Sequence, residues 1–309
     1  MTEKIAIIGS GLVGSGWAIV FARAGFTVDL YDSADGTAAV ARDLIAQRLS
    51  DLKAFGLVSS VEEVLDRVSM APDLRSALSG AIYAQESAYE QVDVKRDLFS
   101  QIDAAIEPAT LVGSSSSGIP SSAFTGHVGC RDRVLIAHPV NPPYLAPIVE
   151  LVPAPWTRPD AIKAVRALME RVGQSPVEMT REVEGFLLNR LQAVLLMEAW
   201  RLVEAGLATV EDVDLTIKHG LGLRWSFMGP FETIDLNAPG GVADYARRFG
   251  PLYQSIAASC SEQRVWSEDL IARVEQQRRE KLPAEDLGKR SAWRDRKLME
   301  LAKRRAEQF

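Results

Sequence analysis

Lys4-Ile5-Ala6-Ile7-Ile8-Gly9-Ser10-Gly11-Leu12-Val13-Gly14-Ser15-Gly16 is a short apolar run that breaks into glycines. The uncharged stretch from Ile5 to Ala22 is long enough to imitate a membrane segment or a signal sequence. Four glycines interrupt it, so a buried strand, a tight turn and a helix fit better, and no membrane span is expected. In that context the pattern Gly9-x-Gly11-x-x-Gly14 is the fingerprint of a dinucleotide site. Gly9 permits the turn, Gly11 lets the backbone approach a pyrophosphate, and Gly14 lets helix and strand pack closely. The first N–H groups of the helix, around Leu12 and Val13, face the phosphates.

A second predicted strand, Thr27 to Tyr31, ends in Asp32, at the spacing where a carboxylate accepts hydrogen bonds from an adenosine ribose. An acid there repels a 2′-phosphate, and Ser33, Ala34 and Asp35 follow with no arginine, so the expected cofactor is NAD rather than NADP.

Beyond this pair, the first half alternates β-branched runs with helical patterns. Strands are expected at Val68 to Ala71, Ala81 to Gln85, Thr110 to Ser114, Val134 to His138 and Ile148 to Val152, which makes a parallel sheet with helices on both faces. After about Met179 the pattern becomes helical: Glu184 to Ala205, Val210 to His219, Gly240 to Phe249, Trp266 to Lys281 and Ala292 to Gln308. The expected fold is therefore α/β, a Rossmann-type doubly wound N-terminal domain over residues 1–182 followed by an all-α C-terminal domain over residues 183–309.

The composition agrees. Of 309 residues, 47% are hydrophobic and 25% charged, which excludes a disordered or low-complexity chain. Lys plus Arg number 35 against 41 Asp plus Glu, a net charge of -6, and this excludes a phosphate-backbone binder, so no nucleic-acid partner is expected. Cys130 and Cys260 are too few for a disulfide framework and suit a reducing compartment, so a cytoplasmic protein is expected. No metal site is expected.

Three histidines occur, and His138 closes the apolar run Val134 to Ala137 just before Pro139-Val140-Asn141-Pro142-Pro143. It emerges at the C-terminal edge of the sheet, where ligands of such sheets bind. Twelve residues on, Glu150 is the lone carboxylate in Ile148-Val149-Glu150-Leu151-Val152. An unpaired buried carboxylate is costly, so a returning strand that sets Glu150 beside His138 relieves both. A base oriented by a carboxylate suits removal of a hydroxyl proton during alcohol oxidation; a satisfied core histidine with a strand-edge charge is the other reading. Ser114 to Gly118 reads either as hydroxyls at the same sheet edge or as a linker. Glu90 and Lys95, five apart at a helix start, read by themselves as solvated charges. Asn189 lies in an apolar helix, where an amide wants partners.

On Gly9 to Gly14, Ser115-Ser116-Ser117, His138-Pro139-Val140-Asn141-Pro142-Pro143-Tyr144 with Glu150, Gly185-Phe186-Leu187-Leu188-Asn189-Arg190 and Gly229-Pro230-Phe231-Glu232-Thr233, the sequence resembles the 3-hydroxyacyl-CoA dehydrogenase superfamily. Within it, the match is to the lambda-crystallin and L-gulonate 3-dehydrogenase branch. The resemblance implies His138 as catalytic base, Glu150 as its orienting partner, and Ser117 and Asn189 as hydrogen-bonding groups for the substrate oxygen and the histidine. It places Glu90 and Lys95 on the nicotinamide side of the cofactor, and it implies a homodimer formed by the helical domain. The implied activity is NAD-dependent oxidation of the 3-hydroxyl of a small hydroxy acid such as L-gulonate. Alternatives are a 3-hydroxyacyl-CoA, a carnitine-like hydroxy acid, or a non-catalytic NAD-binding protein of the crystallin kind. Where related acyl-CoA enzymes carry a Gly-Tyr-Pro type passage, this chain has Leu223-Arg224-Trp225-Ser226-Phe227-Met228. Arg224 suits a bidentate pair with a substrate carboxylate or, equally, a place in a subunit interface.

Overall fold

The first strand is buried on both of its faces, and this fixes the architecture. A computed structural model describes residues 2–259 and 266–308, and Cys260 lies outside them. Ile5 and Ile7 enter one apolar cluster, with Trp17, Phe21, Val28 and Leu30; Ala6 and Ile8 enter another, with Phe99, Val112, Phe124 and Ile136. Successive side chains of a strand point to opposite faces, so a strand buried on both sides needs helices above and below it.

Eight strands form one sheet: β1 Lys4–Ile8, β2 Thr27–Tyr31, β3 Val68–Met70, β4 Ala81–Glu86, β5 Leu111–Ser114, β6 Val134–Pro139, β7 Ile148–Pro153 and β8 Ser175–Glu178. Their order is β3-β2-β1-β4-β5-β6-β7-β8. Every neighbouring pair is parallel except β6 and β7. Seven of these strands match the sequence reading within a residue or two. The eighth, Ser-Pro-Val-Glu, has no alternating apolar run; it sits at the sheet edge, where Pro176 is tolerated.

The helix Leu12–Arg23 connects β1 to β2 and is buried from Gly14 to Ala22, which explains its nearly continuous apolar sequence. Residues up to Arg190 together with those from Ser291 form one unit, and Leu191–Arg290 forms a second. The chain end joins the first unit because the helix Leu287–Gln308 places Met299 in the first core cluster.

Among its described residues the second unit has helices as its only regular elements, chiefly Val210–Thr216, Pro230–Leu236, Gly241–Ser259 and Glu268–Lys281. The helix that the sequence suggests should stop at Phe249, before Gly250-Pro251, runs on to Ser259 with Pro251 inside it. A proline removes one intrahelical hydrogen bond without forbidding continuation. Among the described residues no helix is long and apolar enough to cross a membrane.

Candidate active site

The glycine turn is built as its sequence suggests, for three different reasons. Gly9 has φ +92°, and a Cβ there would lie 2.7 Å from the Ser87 carbonyl carbon and oxygen. A Cβ on Gly14 would meet the Gly9 carbonyl oxygen at 1.9 Å, so no side chain fits between strand and helix. At Gly11 nothing lies within 4 Å of that position. Gly11 is the N-cap of Leu12–Arg23 and provides no side-chain cap. The first N–H groups of the helix, Leu12 and Val13 among them, therefore have no side-chain cap, the arrangement that suits an anion such as a pyrophosphate. Asp32, directly after β2, is tied to this turn. Its Oδ2 accepts from the Ser10 N–H at 2.8 Å and the Ser10 hydroxyl at 3.0 Å, and its Oδ1 accepts from the Ala34 N–H at 3.1 Å.

Antiparallel pairing of β6 with β7 sets His138 directly opposite Glu150. Imidazole Nδ1 and Glu150 Oε2 are 2.7 Å apart, and the residues are 7% and 3% exposed. The second carboxylate oxygen, Oε1, accepts the N–H groups of Leu187 and Leu188, each at 2.8 Å, where the helix Leu188–Glu204 begins. Burial pushes the Glu150 carboxyl up, but hydrogen bonds from His138, Leu188 and Leu187 outweigh it and hold the group below the usual carboxylate range. Phe186, at φ +51°, is fully buried with its ring 5.9 Å from the imidazole, so packing sustains a backbone conformation uncommon for a bulky residue. The loop leaving His138 lands on the nucleotide helix: Pro143 fills the space where a Gly16 side chain would be, 2.8 Å from that Cβ position.

From Glu150 the contacts continue. Asn189, one residue past Leu188, donates from Nδ2 to the Ser117 carbonyl at 2.6 Å. Glu90 Oε1 accepts from the Ser116 hydroxyl at 2.6 Å and from the N–H groups of Ser117 at 2.8 Å and Gly118 at 3.1 Å. Burial raises the Glu90 carboxyl, yet Ser116, the Lys95 charge and those amides bring it below its ordinary range. The serine run is thus a hydrogen-bonded turn held by Glu90, with Ser117 exposed at its tip.

Lys95 is placed otherwise than a solvated charge. It is fully buried, with Nζ 2.9 Å from Glu86 Oε1 and 3.7 Å from Glu90 Oε2, and it lies over the Phe124 ring. Sequence reasoning missed Glu86, which ends β4 as its lone carboxylate and accepts a hydrogen bond from Ser114. Arg224 is exposed in the short helix Gly222–Trp225 of the second unit.

Residues 4–183 match the NAD binding domain of 3-hydroxyacyl-CoA dehydrogenase, and residues 185–276 match its C-terminal domain. The chain belongs to the 3-hydroxyacyl-CoA dehydrogenase family. Lambda-crystallin from Oryctolagus cuniculus is 40% identical over 305 residues, covering 97% of this chain and 95% of the relative. An L-carnitine dehydrogenase from Streptomyces griseus is 37% identical, covering 84% and 82% respectively. Among solved structures, the 5-formyl-3-hydroxy-2-methylpyridine 4-carboxylic acid 5-dehydrogenase, an NAD+ dependent dismutase, superposes with a TM-score of 0.82 at 28% identity over 98% of both chains.

As a member of the 3-hydroxyacyl-CoA dehydrogenase family, the protein is an NAD-dependent oxidoreductase, and its uncapped helix start and Asp32 fit that cofactor. Asp32→Asn is expected to weaken NADH binding about tenfold while NADPH binding weakens less or improves, because a repelling charge is lost together with one of the two acceptor oxygens. Fluorescence titration of both nucleotides checks this. An unchanged NADH constant would count against the role of the carboxylate.

Proposed function

We propose that the chain oxidises the 3-hydroxyl of a small free hydroxy acid to the 3-keto acid, with L-gulonate the leading candidate. The observation that carries this reading is the 2.7 Å contact of His138 Nδ1 with Glu150 Oε2 at the C-terminal edge of the sheet. A carboxylate on Nδ1 keeps the proton there and leaves Nε2 as the acceptor, the tautomer a general base requires. Bound NAD+ supplies the hydride acceptor. His138 Nε2 takes the hydroxyl proton as the hydride leaves the same carbon, and Glu150 stabilises the imidazolium so formed. Ser117 and Asn189, joined through the Ser117 carbonyl, hold the substrate oxygen. Lys95 is buried on Glu86 and reaches the cofactor cleft through Glu90, which sets the turn at Ser117.

A free acid is favoured over a thioester by the departure at Leu223 to Met228 and by relatives that include a carnitine dehydrogenase. Initial rates of NADH formation with L-gulonate, carnitine and 3-hydroxyacyl-CoA substrates decide between them. Turnover of thioesters alone would defeat the free-acid reading, and NADH binding without turnover of any of them would favour a crystallin-like role.

The same reading includes a homodimer through the second unit. Val194, Phe227, Phe231 and Leu236 are each at least 69% exposed there, apolar surface that association would bury. Sedimentation at micromolar concentration is expected to give twice the 33.8 kDa chain mass; a monomer would refute it.

A further inference from the structure

Beneath the glycine turn lies a polar cluster that the proposed chemistry does not use. Ser115 Oγ has three neighbours: Trp17 Nε1 at 3.2 Å, Gln85 Nε2 at 2.8 Å and Ser87 Oγ at 2.8 Å. The indole N–H can only donate. The Gln85 amide is oriented by its other contacts, since its Nε2 also lies 3.3 Å from the Ala137 carbonyl while its Oε1 receives the Tyr83 hydroxyl at 2.5 Å. Ser115 therefore accepts twice, which fills both lone pairs, and its single proton goes to Ser87 Oγ. Ser87 is thereby an acceptor within the cluster, and among the described residues its own hydroxyl hydrogen has no protein acceptor.

The place of that free donor matters. Ser87 follows β4, its N–H donates to the Ile8 carbonyl at 2.7 Å, and its carbonyl lies directly under Gly9. It stands at the gap between β1 and β4, where the strand order reverses and a dinucleotide crosses the sheet edge. Asp32 receives the adenosine ribose on the β2 side, so the rest of the dinucleotide extends over the ends of β4 and β5, where Ser87 and Ser115 sit. We infer that Ser87 donates its hydroxyl hydrogen to the nicotinamide-side ribose of the cofactor, with Ser115, Gln85 and Trp17 as the positioning residues that fix its direction.

Equilibrium binding separates this contact from turnover. Calorimetric titration of Ser87→Ala with ADP, ADP-ribose and NADH is expected to show ADP affinity within about twofold of the parent, and ADP-ribose and NADH each weakened about five- to tenfold, the loss of one hydrogen bond. Ser87→Thr, which keeps the hydroxyl, is expected to stay within about twofold of the parent for all three. Retained ADP affinity also shows that the glycine turn is intact. Unchanged ADP-ribose binding in Ser87→Ala would overturn the inference. Equal weakening of ADP would overturn it too, by moving the contact to the pyrophosphate, as would a threonine variant as weak as the alanine one.

Discussion

His138→Ala lowers kcat for hydroxy acid oxidation about 10²- to 10⁴-fold and leaves the NADH dissociation constant within about twofold, the expected result if the imidazole is the general base. Two features of the structure separate those outcomes. The imidazole contacts Glu150 and Phe186 at the junction of β6 and β7. The groups that fit the dinucleotide lie instead at the turn after β1 and at Asp32. Truncation thus removes the proton acceptor without disturbing the nucleotide cradle. It also leaves Glu150 with an unpartnered oxygen, although Oε1 keeps both backbone amides, so the fold survives and the loss is read in the chemical step. Stopped-flow NADH formation with saturating substrate, beside an NADH fluorescence titration, gives both quantities on one protein. A variant that turns over at the parent rate would remove His138 from the reaction, and one that loses NADH affinity in step with kcat would make the residue structural.

Much of this site could be read from the chain because its catalytic pair breaks two apolar patterns. His138 and Glu150 each interrupt a β-branched run, and in the structure the two runs pair so that these residues face each other. The glycine turn was legible for a similar reason: each glycine answers a separate steric demand that no other residue meets. Lys95 was not legible, since a lysine in the first turn of the helix Val92–Ala105 looks solvated unless its partner is known. That partner, Glu86, stands one residue beyond the expected end of β4. The network at Ser115 was hidden more deeply, because Trp17 in the first helix, Gln85 and Ser87 at the end of β4 and Ser115 after β5 are brought together only by the sheet order. β8 escaped notice since Pro176 and the polar ends of Ser175–Glu178 carry no period, and its place depends on β7 being there to pair with it. In each case the missing information is a contact between separate elements, which local pattern does not encode.

Glu150→Gln tests the orienting role more sharply than truncation, because the amide has nearly the same shape but only one acceptor atom. The carboxylate accepts three hydrogen bonds: Oε1 takes the Leu187 and Leu188 amides, and Oε2 takes His138 Nδ1. If the glutamine carbonyl serves the two amides, its NH2 faces Nδ1, which must then accept, and the proton moves to Nε2, where it blocks the base. If the carbonyl serves the imidazole, the NH2 opposes two backbone donors at the start of Leu188–Glu204. Either arrangement is costly, so kcat is expected to fall about 10³- to 10⁴-fold, as when an amide replaces the carboxylate behind a catalytic imidazole. The pH dependence of stability carries a second signature. The folded Glu150 carboxyl is held below its ordinary range, so its stabilisation is fully present above the unfolded value of about 4.3 and is lost as pH falls through the lower folded value. The Tm deficit of Glu150→Gln relative to the parent should therefore be widest above about pH 5 and narrow as the solution is acidified through and below about pH 4. Parallel Tm curves across that window, together with undiminished turnover, would show that the charge of Glu150 serves neither the imidazole nor the helix start.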